Sequence, residues 1–515
     1  MYLTQGLHRA VQRTPGRPAT IFGDRVRTWA ESGERVARLA AALKAVGVRT
    51  DDRVGILAHN SDIYHEYLLA VPWADAIMNP VNTRWSVAEI GYSLRDCDTQ
   101  VLLVDDAFTS IVPQLHDVVP LLRTVIHIGS GPVPEGALSM EVLIAKYDPV
   151  PDARRGGNAL AGIFYTGGTT GRSKGVMLSH ANILASAFGM EATRQRVPGG
   201  SLSGGRVLHV APMFHIAGCA PWTESMTLGR THVYVPRFTP AGVAKAIEQY
   251  DVTDTLLVPT MIQLLVDSED TADADLSSLQ RLTYSASPIS ESVLQRAMDR
   301  MPTTEFTQVY AMTELGPVIT VLSHEDHADA RLRRSVGRAA PHCEVLVVDE
   351  QDRELPRGGI GQIICRGASV MRGYWDLLAM TADVLRNDWM HTGDAGYMDE
   401  EGYVFIVDRI KDMIISGGEN VYSAEVENAL SSHPAVKSCA VVGLPDEDWG
   451  ERVHAVIVPA GDDRPDVEIL REHVKQFIAG YKAPRTVAFV DTLPLSGAGK
   501  VLKNELRARY SPQES

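Results

Sequence analysis

Two rhythms of apolar and polar positions alternate along the chain up to about residue 400. Val36, Leu39, Leu43 and Val46 recur at helical spacing, and Gly47 offers a stop. The run RVGIL at 53–57 is short, continuous and branched, as a buried strand requires. The same texture returns at 101–105, 163–166, 206–212, 254–259 and 281–286, with helical stretches between. Such alternation predicts parallel sheets covered by helices. Near 343 the texture changes. Residues 343–367 read as two strands about a Pro/Gly turn, which predicts an antiparallel subdomain, and 403–409 reads as a further strand. A glycine loop follows, then a helix that Ser423 is placed to cap. The last hundred or so residues hold strands in SCAVVGL, HAVIVPA and TVAFV and an amphipathic helix over 467–478. The expected fold is α/β. A large N-terminal domain of parallel sheets and helices carries the antiparallel subdomain, and a small α+β domain follows. The boundary falls at 409–411, giving domains 1–410 and 411–515.

Composition narrows the class. A chain of 515 residues exceeds one ordinary core. With 45% hydrophobic and 22% charged residues it has the balance of a soluble globular protein. A net charge of −15 and the lack of a Lys/Arg run argue against nucleic acid as a partner and against docking on anionic lipid. The five cysteines are scattered and form no CxxC pair, so reduced thiols are expected, with neither a disulfide frame nor a zinc site. No transmembrane segment is expected: the longest apolar stretch, 256–266, is interrupted by Thr260 and Gln263. The N-terminal residues lack the apolar core of a signal peptide, and SPQES at the other end reads as neither a prenylation nor a peroxisomal signal. A cytoplasmic location is the expectation.

The segment YTGGTTGRSKG, 165–175, is the richest in chemistry. It follows a predicted strand. Gly167, Gly168 and Gly171 let the backbone turn sharply and approach a ligand. Thr166, Thr169, Thr170 and Ser173, with successive amides, can cradle phosphate oxygens, and Lys174 adds a charge. Taken alone, a polar surface turn explains it equally well. It is not a Walker motif, since no Gly-Lys-Ser/Thr stands at the required spacing.

This loop resembles the phosphate-binding loop of the adenylate-forming superfamily, which contains acyl-CoA synthetases, luciferases and peptide-synthetase adenylation domains. Four further stretches match in the family's order: QVYAMTE (308–314), HTGD (391–394), DRIKDMIISGGENVYSAEVE (408–427) and PLSGAGKVLKNEL (494–506). The match spans nearly the whole chain. The resemblance implies a barrel-like antiparallel subdomain and a mobile C-terminal domain. It implies ATP and coenzyme A as co-substrates and Mg²⁺ as cofactor. It also admits a homodimer.

Residue by residue, the resemblance implies the following. Tyr310 offers adenine an aromatic face, with Gln308, Ala311, Ser285, Ala286 and Ser287 beside the nucleotide. Glu314 is the hard oxygen ligand for Mg²⁺, and Thr313 meets the adenylate phosphate. Asp394 holds the ribose hydroxyls, with Ile406 and Arg409 on the other side. Lys500 bridges the substrate carboxylate and the α-phosphate, with Lys503 as a nearby decoy. Lys411 is the hinge. Ser416, Gly417 and Gly418 line a pantetheine tunnel. Trp449 and Lys482 contact CoA, although some relatives carry arginine where this chain has Ala483. His215, in PMFHIAG, closes an acyl pocket that also takes in Ile216, Gly218, Val258, Thr260, Ala311 and Met312. That stretch has no acid to hold an ammonium group, so an uncharged apolar acid, fatty or aryl, is expected. YSASP departs from the commoner Gly-Ala-Ala-Pro form, with Ser285 and Ser287 replacing Gly and Ala. Trp222 offers a pocket or entrance aromatic. The activity implied is an AMP-forming acid–CoA ligase. The alternatives are loading of a carrier-protein phosphopantetheine, or nucleotide binding without turnover.

Overall fold

The computed structural model describes residues 1–166, 173–193, 204–416, 419–446, 448–461, 464–495 and 501–511. It holds two units. One comprises Met1–Thr166, Ser173–Glu344 and Cys365–Met390. The other contains Val345–Ile364 and the chain from His391 onward.

In the first unit the alternating strands assemble into two large sheets. One has nine strands. At its heart Pro18–Phe22, Thr231–Tyr234, Arg206–His209, Asp254–Leu257, Arg281–Tyr284 and Glu305–Ala311 lie side by side in that order, all parallel. The other has eight strands. Its run Leu160–Thr166, Ile77–Pro80, Arg53–Leu57, Val101–Val104, Thr124–His127 and Leu138–Ser139 is also parallel. Both faces of such strands are buried, which is why they read as continuous apolar runs. The predicted helix over 36–46 belongs to a longer one, Trp29–Ala45, opened by a capping box between Thr28 and Glu31.

Several strands end earlier than their apolar runs. Asp254–Leu257 stops short because Pro259 opens the helix Pro259–Asp267. Arg281–Tyr284 stops before Ala286, whose φ of +81° leaves the β region. Val101–Val104 stops before Asp105, whose carboxylate caps the following turn at Ala107.

A polar cluster is sealed inside this unit. His65, His209 and His232 are each at most 2% exposed, and Trp29, Trp222 and Tyr234 pack around them. The Trp222 indole N–H donates to His65 Nδ1 at 3.0 Å, and His65 Nε2 meets Ser32 Oγ at 3.3 Å. His209 Nε2 and His232 Nδ1 share a proton-bearing contact of 2.9 Å. Burial pushes His65 and His209 down to about 3 and His232 well below its ordinary value.

A five-stranded antiparallel sheet contains Trp389–Met398 paired with Val404–Arg409. The C-terminal part of the second unit is α+β. Gly450–Pro459 lies between Val436–Asp446 and Thr486–Phe489, and the helices Ser423–Ser431, Val467–Lys475 and Lys503–Tyr510 complete it. Its core gathers Val426, Leu430, Val441, Val453, Ile457, Leu470 and Val474. The residues flanking the predicted glycine loop are strands: Ile414–Ser416 pairs with Glu419–Val421.

Ser423 does not cap its helix through its side chain. It is the first helical residue, and its amide donates to the Asp408 carboxylate. A carboxylate is the stronger acceptor at a helix N-terminus. The Ser423 hydroxyl instead accepts from Lys503 Nζ at 2.5 Å. Among the described residues, no helix is long and apolar enough to cross a membrane.

Candidate active site

The phosphate-loop segment starts and ends on one hairpin. Leu160–Thr166 and Lys174–Ser179 are antiparallel, and Thr166 is paired with Lys174. The two ends of the glycine-rich stretch are therefore held side by side. Gly167, Gly168, Thr169, Thr170 and Gly171 lie outside the described residues. Tyr165 anchors the hairpin from below: it is 5% exposed and donates to Asp96 at 2.6 Å. The short strand Gly373–Tyr374 adds to the hairpin's outer edge. There the Lys174 ammonium lies 5.0 Å from the centre of the Tyr374 ring.

The remaining candidates of the first unit leave the carboxyl ends of four neighbouring parallel strands, where open α/β sheets form their ligand crevices. After Arg206–His209 the chain enters PMFHIAG. Asn60 clamps that turn, donating to the Ala211 carbonyl at 2.9 Å and accepting from the Met213 amide at 2.9 Å. His215 is half-buried at the start of the helix Ile216–Leu228, its ring tilted against Phe214 at 4.5 Å. Gly218 is required there, since a Cβ would lie 2.2 Å from the Pro212 carbonyl oxygen.

After Asp254–Leu257 comes Val258, half-buried, and then Thr260, exposed on the first turn of the next helix. After Arg281–Tyr284, Ser285 is buried, Ala286 takes its left-handed conformation and Ser287 is exposed. Glu305–Ala311 carries Gln308, buried, and Tyr310 and Ala311, partly exposed. Met312 then begins the 3₁₀ turn Thr313–Leu315. Glu314 on that turn accepts from the Tyr374 hydroxyl at 2.9 Å, through Oε1.

In the second unit Asp394 stands opposite Arg409 in the antiparallel ladder. The guanidinium Nε meets the Asp394 carboxylate at 2.9 Å, and Asp394 is only 5% exposed. Ile406 lies on the same strand as Arg409. Lys411 sits in the turn Ile410–Asp412, and Ser416 is buried at the end of its strand. Gly417, Gly418 and Lys500 lie outside the described residues. Trp449 is 41% exposed, with the Arg485 guanidinium stacked 3.9 Å from the centre of its ring. Lys482 is paired with Glu425 at 2.6 Å. Lys503 is engaged with Glu427 at 2.8 Å, and Glu427 also accepts from the Val441 amide. Burial raises the Glu427 carboxyl, against the lowering effect of Lys503.

The expectation for Trp222 is corrected. Its indole is 2% exposed and bonded to His65 in the histidine cluster, which makes it a core residue. Asn60, Tyr374 and Arg485 were missed by the sequence reading. Tyr374 reaches Glu314 across 60 residues of chain, which no local pattern announces. Asn60 and Arg485 act through contacts distant in sequence.

Comparison with known proteins adds to this geometry. The family described as AMP-binding enzyme matches residues 7–375, and AMP-binding enzyme C-terminal domain matches 425–500. The chain is 38% identical over 506 residues to a feruloyl-CoA synthase from Amycolatopsis sp, covering 98% of each chain. It is 34% identical to the fatty acid–[acyl-carrier-protein] ligase ScoC from Streptomyces coeruleorubidus, covering 97% of this chain and 94% of that one. The ATP-bound crystal structure of MatB from Rhodopseudomonas palustris superposes with a TM-score of 0.89 at 28% identity, covering 100% of both chains.

Proposed function

Because the chain belongs to the AMP-binding enzyme family, we propose that it is an AMP-forming acid–CoA ligase acting on an uncharged apolar acid, fatty or aryl. The observation that carries this reading is the meeting of four candidate segments at the carboxyl ends of adjacent parallel strands. Within the same unit, the Thr166–Lys174 pair closes the phosphate hairpin.

A carboxylate is a poor acyl donor because oxide is a bad leaving group. In the first half-reaction its oxygen attacks the α-phosphorus of ATP. One P–O bond forms, the bond to the β-phosphate bridge breaks, and pyrophosphate leaves. This needs positioning and charge neutralisation more than covalent help. Lys174 and the loop amides bind phosphate oxygens, Tyr310 and Gln308 take the adenine, and Asp394 with Arg409 takes the ribose. Lys500 stabilises charge on the carboxylate and α-phosphate. Glu314 suits Mg²⁺. Among the described residues no group of three or more His, Cys, Asp or Glu could hold a metal; one carboxylate with ATP phosphates and water is the usual company of Mg²⁺. When bound, the ion supplies charge neutralisation at the phosphates.

In the second half-reaction the CoA thiolate attacks the acyl carbonyl, the thioester forms and AMP departs with the bonding pair. Turning at Lys411 would exchange the Lys500 loop for the Gly417–Gly418 loop, whose lack of side chains leaves room for pantetheine. On this reading the mobile domain begins at residue 411. Trp449, with Arg485 stacked on it, offers CoA a cationic aromatic surface. Lys482 reaches a CoA phosphate only by leaving Glu425.

The likeness to ScoC supports a second reading, in which a carrier-protein phosphopantetheine accepts the acyl group. Pyrophosphate release with Mg-ATP against short, medium and long fatty acids and aryl acids separates the readings when CoA, a phosphopantetheinylated carrier protein, or neither is supplied. Sustained turnover with CoA on one subset supports the ligase and names its acid. Turnover with the carrier protein alone supports the second reading, and ATP binding without pyrophosphate release on any acid refutes both.

A further inference from the structure

We propose that Tyr374 is a positioning residue that presets Glu314 for its cation and holds Lys174 beside it. The inference rests on the adenylation reading above and assigns a role to a residue outside the candidate set.

Tyr374 is 3% exposed. Its hydroxyl donates to Glu314 Oε1 at 2.9 Å, and its ring faces the Lys174 ammonium at 5.0 Å. One side chain thus joins the turn that presents the carboxylate to the first residue of the strand Lys174–Ser179. The backbone around it is fixed from several directions. The Met371 amide donates to the Glu314 carbonyl at 2.9 Å. The Arg372 and Trp375 amides donate to Met177 and Gly175 on the hairpin strand, at 2.9 and 2.7 Å. The Tyr374 amide donates to Thr381 Oγ1 at 2.9 Å, and the Trp375 indole donates to the Asp96 carbonyl at 2.9 Å. Gly373 has φ +127°, and a Cβ there would lie 2.8 Å from Thr381 Cγ2, so the approach admits no side chain.

The chemistry follows from this rigidity. A phenol held on both sides donates to one carboxylate oxygen only. That fixes the rotamer of Glu314 and directs its remaining acceptor capacity to a cation. The ring's negative face draws the Lys174 ammonium toward the same spot. Carboxylate and lysine are then both in place before Mg-ATP arrives, so their ordering is not required at the moment of binding.

Tyr374→Phe keeps the ring and its lysine contact but removes the hydroxyl. Mn²⁺ binding in the presence of a non-hydrolysable ATP analogue, followed by electron paramagnetic resonance, should weaken about five- to tenfold. KM for Mg-ATP should rise, while thioester formation from supplied acyl-AMP stays unchanged. Tyr374→Leu should weaken binding further, because the cationic contact is lost too. Combined with Glu314→Gln, Tyr374→Phe should add little, since the carboxylate it orients is gone. Unchanged Mn²⁺ affinity in Tyr374→Phe, or equal loss in both half-reactions, overturns the inference while the adenylation reading stands. A wild-type protein that binds Mn²⁺–nucleotide but releases no pyrophosphate overturns the adenylation reading, and the inference falls with it.

Discussion

The sealed histidine cluster makes acid stability a quantitative test of the fold. His65 accepts the Trp222 N–H on Nδ1, so its proton sits on Nε2 toward Ser32. Protonating Nδ1 would set two donors face to face. His209 and His232 likewise share one contact in which one ring donates and the other accepts, so charging both breaks it. Burial holds His65 and His209 at about 3 in the folded chain and His232 lower still. Unfolded histidines titrate near 6.5. These groups therefore contribute stability that is complete above about pH 6.5 and is lost as pH falls toward the folded values. At about pH 5.5 each unfolded ring gains about 1.4 kcal/mol by taking a proton the folded ring refuses, about 4 kcal/mol for the three. That is a large share of ordinary stability. His209→Gln removes one such group. Urea unfolding followed by tryptophan fluorescence, to which Trp29 and Trp222 contribute beside the cluster, measures stability across pH 5 to 7.5. The variant's slope below about pH 6.5 should be shallower than wild type by an amount that approaches about 1.4 kcal/mol per pH unit toward pH 5, whatever its absolute stability. Coincident slopes would refute the claim that His209 is held neutral.

Three further outcomes are expected. Lys500→Ala should lower the adenylation rate about 100- to 1000-fold and largely spare thioester formation from supplied acyl-AMP; equal loss in single-turnover assays of both steps would count against two separate configurations. Asp394→Asn should raise KM for ATP about tenfold or more through loss of a charged acceptor for ribose, and an unchanged KM would remove Asp394 from the nucleotide site. Lys503→Met should leave adenylation within about threefold but destabilise the C-terminal domain by about 2 kcal/mol, read by hydrogen exchange over Ser423–Ser431. Because Lys503 lowers the half-buried Glu427 carboxyl, its removal raises that group further above its unfolded value, so the penalty should grow as pH rises through the folded value and shrink in acid.

How much could be read in the chain depended on the range of the interaction. Apolar runs such as 53–57 and 101–105 became buried parallel strands because periodicity and burial express one local fact. The Asp394–Arg409 pair spans a short hairpin, so two motifs adjacent in sequence met in the ladder. Local reading failed where a distant group offered a better partner. Ser423 was placed as a cap by residue type, yet the Asp408 carboxylate took its amide and Lys503 its hydroxyl. Trp222 was read as a pocket aromatic, yet its partner is His65, and nothing near either residue announces the other. Tyr374 was passed over because its role lies in joining Glu314, on the turn Thr313–Leu315, to Lys174, on a strand far from it in sequence.

The Asp408–Ser423 contact has a mechanical consequence. Lys411, the proposed hinge, lies between these two residues in the chain. Their bond is thus a latch across the axis of rotation: the helix Ser423–Ser431 owes its N-terminal acceptor to a group on the other side of the pivot. Any turn at residue 411 must release that latch and leave the helix end to find water or another oxygen. The resting arrangement is thereby weighted against swinging by about the worth of one charged cap, roughly 0.5–2 kcal/mol. Adenylation of the acid and delivery to the thiol would then be separated by a small toll that the chain sets for itself, in the span of sixteen residues from Asp408 to Ser423.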